Sequence, residues 1–273
     1  MTAHPFAEIK SRYSEAMDDN LVGHITHRSH AIAAPVSLNS ARNLLTRLAP
    51  PEQGRVLDLG CGEGVWLLTI LEAFPTLQGI GVDISEAALD KARISTKCRG
   101  LEGRVSWKEA DASSWVGDSF DIVMCIGSSH AFGGLSETLT ATRRFLRPGG
   151  RVLLGDVIWE KPPSSKAQEV LESKPDDLPD LATLVDTVER HGFETGYGHI
   201  STLEEWDDYE WSWTGSLVEW ALQDTPAPSA SERQEALELA NGHRNAWLGG
   251  YRQELGFATI VLHDAKTLTN QER

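Results

Sequence analysis

Between residues 58 and 64 one acid and three glycines alternate, Asp58-x-Gly60-x-Gly62-x-Gly64, beginning inside the apolar run Arg55–Leu59 and leading into a helical pattern. Glycines at such a strand-to-helix passage reach positive φ and let a ligand approach the main chain closely. Two more acids fall at telling distances. Asp83 closes the run Gln78–Val82, 19 residues after Gly64, where a carboxylate can take both hydroxyls of a ribose. Asp111 follows Val105–Lys108 in Glu109-Ala110-Asp111-Ala112 and can accept from an exocyclic adenine amine. The run ending in Cys125-Ile126-Gly127 presents backbone beside the glycine turn. The chemistry is that of holding a nucleoside. A dinucleotide fingerprint is G-x-G-x-x-G, with a pyrophosphate facing the helix N-terminus. The spacing here is G-x-G-x-G with an acid two residues ahead, which suits a cationic amine and a sulfonium better than a pyrophosphate.

The elements that must position these residues alternate regularly. Arg55–Leu59, Gln78–Val82, Val105–Lys108, Ser119–Ile126 and Arg151–Val157 read as strands. Helical stretches at Glu63–Phe74, Ser85–Lys97 and Leu135–Leu146 lie between them, the last stopped by a turn at Arg147-Pro148-Gly149-Gly150. That alternation predicts a doubly wound α/β fold with a mostly parallel sheet covered on both faces. Helices are expected at Phe6–Asp19 and Ser37–Leu48 ahead of this block. After it come loops at Pro162-Pro163 and Lys174–Pro179, helices Leu181–His191, Leu203–Leu222 and Glu232–Trp247, and strands Phe193–Ile200 and Leu255–His263. On Leu203–Leu222 the residues Trp206, Tyr209, Trp213, Leu217 and Trp220 share one face, a core stripe, while Trp211 points elsewhere. The expected divisions are an N-terminal helical lid at 1–50, a nucleoside-binding core at 51–158, the rest of the core with an inserted helical cap at 159–254, and a final strand and tail at 255–273.

Composition narrows the partners. Of 273 residues, 40 are acidic and 25 basic, a net charge of −15. Sixteen acidic and four basic residues fall between Glu160 and Asp224, so twelve of the fifteen net negative charges sit there. No basic patch offsets them, which argues against nucleic acid. No apolar run approaches the roughly 20 residues of a membrane span, and Met1–Lys10 carries no secretory signal pattern. Three unpaired cysteines, Cys61, Cys98 and Cys125, indicate a reducing, cytoplasmic setting. The oligomeric state stays open, a homodimer included.

The motifs Asp58-x-Gly60-x-Gly62-x-Gly64, Val82-Asp83, Ala110-Asp111-Ala112, Phe120-Asp121-Ile122-Val123 and Leu146-Arg147-Pro148-Gly149-Gly150 resemble, in order, those of class I S-adenosylmethionine-dependent methyltransferases. His27-Arg28, His30, Asp156-x-x-Trp159 and Trp206-Asp207-x-Tyr209 are similar to a small-molecule group near the ubiquinone/menaquinone methyltransferase-like branch. The resemblance implies a Rossmann-like, seven-stranded sheet whose last strand runs antiparallel, and S-adenosyl-L-methionine as cofactor. It implies that Gly60, Cys61, Gly62 and Gly64 line the methionine end, with Asp58 orienting the turn and the amine. Asp83 would hold the ribose and Ile84 pack on the adenine. Asp111 and the Ala112 amide would read the adenine edge, and Ile126-Gly127 would back the sulfonium.

Methyl transfer needs alignment above all, and a base only if the acceptor must lose a proton. His130, just past the fourth strand on the edge where α/β sheets bind ligands, is the candidate base and acceptor contact. Asp156 and Trp159 follow the fifth strand and could line an acceptor pocket; Trp211 and Tyr251 are further candidates. His24, His27 and His30 recur every three residues, as along one helix side. Without an acidic partner they read as part of a lid whose His27 or His30 touches ligand, and no metal is expected. The expected partner is a small-molecule acceptor methylated at N, O or C. The alternatives are the same fold used for cofactor binding, regulation or non-methyl chemistry, and an NAD-dependent dehydrogenase.

Overall fold

The computed structural model describes Met17 and residues 19–265, with the side chains of 19, 20 and 24 left aside. The expected helix at Phe6–Asp19 lies outside that range but for its last residues. Seven strands form one sheet: β1 Gly54–Leu59, β2 Leu77–Asp83, β3 Val105–Glu109, β4 Phe120–Ile126, β5 Leu146–Trp159, β6 Phe193–Ile200 and β7 Leu255–Asp264. Their order is β3-β2-β1-β4-β5-β7-β6. The pairs β2–β3, β1–β2, β1–β4 and β4–β5 are parallel, and β7 runs antiparallel to β6. The strand order reverses between β1 and β4, the switch point beside which such sheets open a crevice at their carboxyl ends.

Burial explains why these segments are strands. Val56, Leu57 and Leu59 of β1, and Ile122, Val123, Met124 and Cys125 of β4, are at most 1% exposed, as central strands covered on both faces require. Helix α3 (Val65–Ala73) covers them with the buried run Trp66–Leu71. It starts at Val65 rather than at the expected Glu63, because Gly64 holds φ +74° and stops the helix there. Helix α4 (Glu86–Cys98) begins where the Ser85 hydroxyl accepts from the Ala88 amide at 3.3 Å. Helices α2 (Leu38–Arg47) and α5 (Leu135–Arg144) fall where expected. Strand β5 is longer than Arg151–Val157: it runs through Arg147–Gly150 by way of a register shift against Phe120 and Ile122. There the glycine pair permits an irregularity without ending the strand.

The chain separates into two compact units. The sheet unit holds residues 37–157, Leu181–Ile200 and the described residues from Phe257, and includes helix α7 (Leu181–Arg190). The helical unit holds the described residues up to Val36, then Ile158–Asp180 and Ser201–Gly256. Within the latter, helix α1 (Asp19–Thr26) packs with α8 (Leu203–Leu222) and α9 (Ala230–Ala246) around Val22, Ile25, Trp213, Leu217, Leu239 and Ala240. Trp206 and Trp213 are each 4% exposed, so the expected aromatic stripe is core, and Trp211 stands 51% exposed on the other side. A short helix α6 (Ser165–Leu171), capped by Ser164, lies between the two expected loops, in a stretch to which the sequence pattern assigns no element.

The helical unit also buries a polar cluster. Glu210 of α8 is fully buried and accepts from Tyr251 Oη at 2.8 Å, and its other oxygen lies 2.6 Å from His243 Nε2 of α9. The His243 ring stacks on Trp213, centroids 4.0 Å apart. One carboxylate thus ties α8, α9 and the turn Trp247–Tyr251 together. Leaving a buried group with a partner removed costs about 1–3 kcal/mol. Tyr251→Phe is therefore expected to lower the unfolding free energy in urea by about that amount, and an unchanged midpoint would show the bond adds nothing.

Candidate functional site

At the carboxyl ends of β1 and β4 the sheet unit assembles the motif residues. Gly60, Gly62, Gly64 and Gly127 all adopt left-handed backbone, with φ between +52° and +74°. The amides of Gly60 and Cys61 donate to the Val82 carbonyl at 2.8 and 3.0 Å, pinning the turn to the end of β2. Asp83 braces it from the side. One carboxylate oxygen accepts from the Gly62 amide at 2.7 Å and the other from the Ser85 amide at 2.9 Å. A carboxylate has about four lone-pair sites, so capacity for hydroxyl donors remains.

The glycines are needed for two different reasons. A Cβ on Gly60 would stand 2.3 Å from Ser128 Oγ, whose hydroxyl donates to the Gly60 carbonyl at 3.2 Å. Gly60 is therefore a packing glycine. A Cβ on Gly62 or Gly127 would meet nothing within 4 Å. There the backbone borders open space, the condition for a ligand to lie against it.

Asp58 dominates the electrostatics. It sits in β1, paired in register with Gly81 and Met124, and is 2% exposed. No hydrogen bond or ion pair with a described residue reaches its carboxylate. Burial, and then the neighbouring charge of Asp83, push its pKa from an ordinary 3.8 to about 8. The same two acids, after burial, hold the Cys61 thiol un-ionised. An unpaired buried carboxylate is costly. Such a group calls for a cation.

Around it, Ile84 is 75% exposed just beyond β2, an apolar face turned to solvent. Ala112 is buried, and Asp111 accepts from the Ser113 amide at 2.8 Å in a local turn that occupies one of its oxygens. Ile126 is half-buried, and the Gly127 amide donates to Gly155 at 2.8 Å. His130 is exposed on the 3₁₀ turn Ser129–Phe132, whose first residue is buried. Partial desolvation lowers its imidazole below the usual value, against a hydrogen bond with the Gly127 backbone. Asp156, 6% exposed, accepts from the Val157 amide at 2.9 Å, and burial raises it to about 6.

The remaining candidates belong to the helical unit. Helix α1 ends at Thr26, so His27 and His30 lie on the following turns and not along one helix side with His24. His30 Nδ1 is 2.5 Å from the Ile32 carbonyl, and its ring meets Tyr209 edge-on at 5.4 Å; His27 lies 6.3 Å from the same tyrosine. Trp211 stacks edge-on against Trp247 at 5.2 Å. Two further expected contacts are buried. Tyr251 is 1% exposed and held by Glu210, and Trp159 is 4% exposed, its amide bonded to the Pro179 carbonyl at 2.9 Å. Among the described residues no cluster of ligating side chains could hold a metal ion. Trp107 and Ser128, which pack against the glycine turn, were not among the expected site residues. The one signal for Trp107 was a glycine at position 81, inside a strand.

Residues 51–211 match the family model described as a methyltransferase domain. The chain belongs to that family. Among solved structures, a methyltransferase from Geobacter sulfurreducens in complex with S-adenosyl-L-homocysteine is similar at TM-score 0.81 and 26% identity, over 89% of this chain and 97% of that one. The uncharacterized protein YjhP of Escherichia coli (strain K12) is 26% identical over 227 residues, 82% of this chain and 91% of its own. The 27-O-demethylrifamycin SV methyltransferase of Amycolatopsis mediterranei is 31% identical over 166 residues, 58% of this chain and 61% of its own. The methyltransferase signature thus falls on the part of the chain that carries the glycine turn and the Asp58 carboxylate.

Asp58 has a consequence for stability. Its folded pKa lies above its unfolded one, so its contribution is full below about pH 4 and is lost as pH rises to about 8. The difference in melting temperature between Asp58→Asn and the parent, without ligand, should therefore shift in favour of the variant from about pH 5 to about pH 8. A difference independent of pH would mean that Asp58 is not buried uncompensated.

Proposed function

We propose that this methyltransferase transfers the methyl group of S-adenosyl-L-methionine to N, O or C of a small-molecule acceptor. The observation that carries the proposal is Asp58, a carboxylate 2% exposed beneath a glycine turn with no cation supplied by the described residues. A ligand bearing an ammonium and a sulfonium compensates it, whereas a pyrophosphate would add repulsion. The surroundings fit the same ligand. Gly62 and Gly127 leave open backbone for the methionine end, Asp83 keeps lone pairs for ribose hydroxyls, and Ile84 offers an apolar face for adenine. Asp111 and Ala112 are assigned to the adenine edge, and Gly60, Cys61, Gly64 and Ile126 to the walls of the site.

When bound, the cofactor supplies a methyl carbon already activated by its sulfonium. The work left to the chain is to align the acceptor and, where needed, take its proton. His130 is assigned that second task. Its lowered pKa keeps the imidazole neutral, and so able to accept, to lower pH than an ordinary histidine. His27, His30 and Trp211, which keep accessible surface, and the buried Asp156, Trp159 and Tyr251 are acceptor contacts to be tested by substitution. A small-molecule acceptor is supported by the rifamycin-modifying relative and by the net charge of −15, which disfavours nucleic acid. No helix among the described residues is long and apolar enough to cross a membrane, and a cytoplasmic location is part of the proposal.

Calorimetric titration with S-adenosyl-L-homocysteine and with NAD tests the cofactor: binding of the first alone is expected, and binding of NAD alone would overturn the proposal. Release of S-adenosyl-L-homocysteine on incubation with a metabolite extract then identifies the acceptor; binding without any release would make this a cofactor-binding protein. With that acceptor, His130→Ala should slow turnover on the order of 10²-fold while cofactor affinity stays within about threefold. In the parent, kcat should fall with pH through an inflection below about 6.5, as the imidazole takes up its proton. A fully active His130→Ala variant removes the residue from the chemistry.

A further inference from the structure

Trp107 lies in β3, in register with Gly81 of β2. A Cβ on Gly64 would sit 2.2 Å from its Cη2, and a Cβ on Gly81 would sit 2.4 Å from its Cζ3. Both distances are closer than real Cβ atoms come. The six-membered ring of the indole therefore occupies the side-chain space of two positions at once, the last glycine of the turn and the strand beside it. The same Cβ on Gly81 would stand 2.8 Å from Cys61 Sγ, so the ring and the turn share that gap. The indole is anchored at its other edge. Nε1 donates to Thr96 Oγ1 at 3.1 Å, and that hydroxyl donates to the Ala92 carbonyl at 2.7 Å within α4. A planar ring fixed at one edge cannot swing clear of the turn as a flexible chain would. Glycine weakens a strand unless something must approach closely, and here that something is the ring.

We infer that Trp107 is a positioning residue for the cofactor: its ring supports the Asp58–Gly64 turn from the β3 side, and Gly81 is the gap that admits it. The inference rests on the cofactor site proposed above.

The test is a double-mutant cycle on S-adenosyl-L-homocysteine affinity, measured by calorimetry on the full chain at a temperature where circular dichroism shows every variant folded. Gly81→Ala alone should weaken binding about tenfold, because the new methyl drives the ring and Cys61 apart. Trp107→Ala alone should weaken it by a similar factor. Combined with Trp107→Ala, Gly81→Ala should cost less than about twofold more, since the clash is gone. A lower melting temperature with unchanged affinity for both single variants, or equal cost of Gly81→Ala in the two backgrounds, overturns the inference. Should Trp107→Ala fail to fold, Thr96→Val removes only the anchoring bond. Binding several-fold weaker supports the inference, and unchanged affinity overturns it. A parent chain that binds no S-adenosyl-L-homocysteine would instead overturn the cofactor site itself.

Discussion

A carboxylate buried with no counter-ion among the described residues is the constraint around which the sheet unit is arranged. Asp58 stands in a central strand whose last four residues are all buried, and the one charge that shifts it is another acid, Asp83. Nothing in the described fold offsets its desolvation, so the folded chain holds it as the neutral acid near neutrality. Such a group is tolerated where a ligand supplies the missing charge, and strain or frustration of this kind gathers at functional sites. The reversal of strand order puts this acid beside the open backbone of Gly62 and Gly127. Asp83 holds the turn by its Gly62 amide, and Ser128 and Trp107 fill the spaces that side chains at 60 and 64 would claim.

The helical unit uses its titratable groups differently. Its surface is rich in acids, but in its interior both oxygens of Glu210 are engaged, one by Tyr251 Oη and the other by His243 Nε2. A fully buried carboxylate there is matched by two hydrogen-bond partners, whereas Asp58 has none among the described residues. The contrast separates a carboxylate that holds helices together from one that awaits a cation.

Much of this was legible in the residue pattern. The strands with continuous apolar runs, the Ser85 cap and the helix Leu203–Leu222 follow from local rules, because burial on two faces and capping are properties of a few consecutive residues. The glycine turn was legible for the same reason. What local pattern does not carry is tertiary partnership. Position along the chain does not show that Tyr251 bonds Glu210 or that Trp159 is buried. Helix α6 is only seven residues long and follows two prolines, too short to show periodicity. The histidines at 27 and 30 keep a helical spacing past Thr26, where the helix has already ended. Trp107 reads as an ordinary strand residue until its ring is found in the space two glycines leave empty.

Proton release on cofactor binding bears most directly on the central claim. S-adenosyl-L-methionine titrated into the chain near neutral pH, in two buffers of different ionisation heat, reports the protons exchanged. With Asp58 held near 8 in the free chain, a cationic ligand should drive it to ionise, so binding should release a fraction of a proton, and Asp58→Asn should abolish that release. Binding with no proton released, or with protons taken up, would contradict the account.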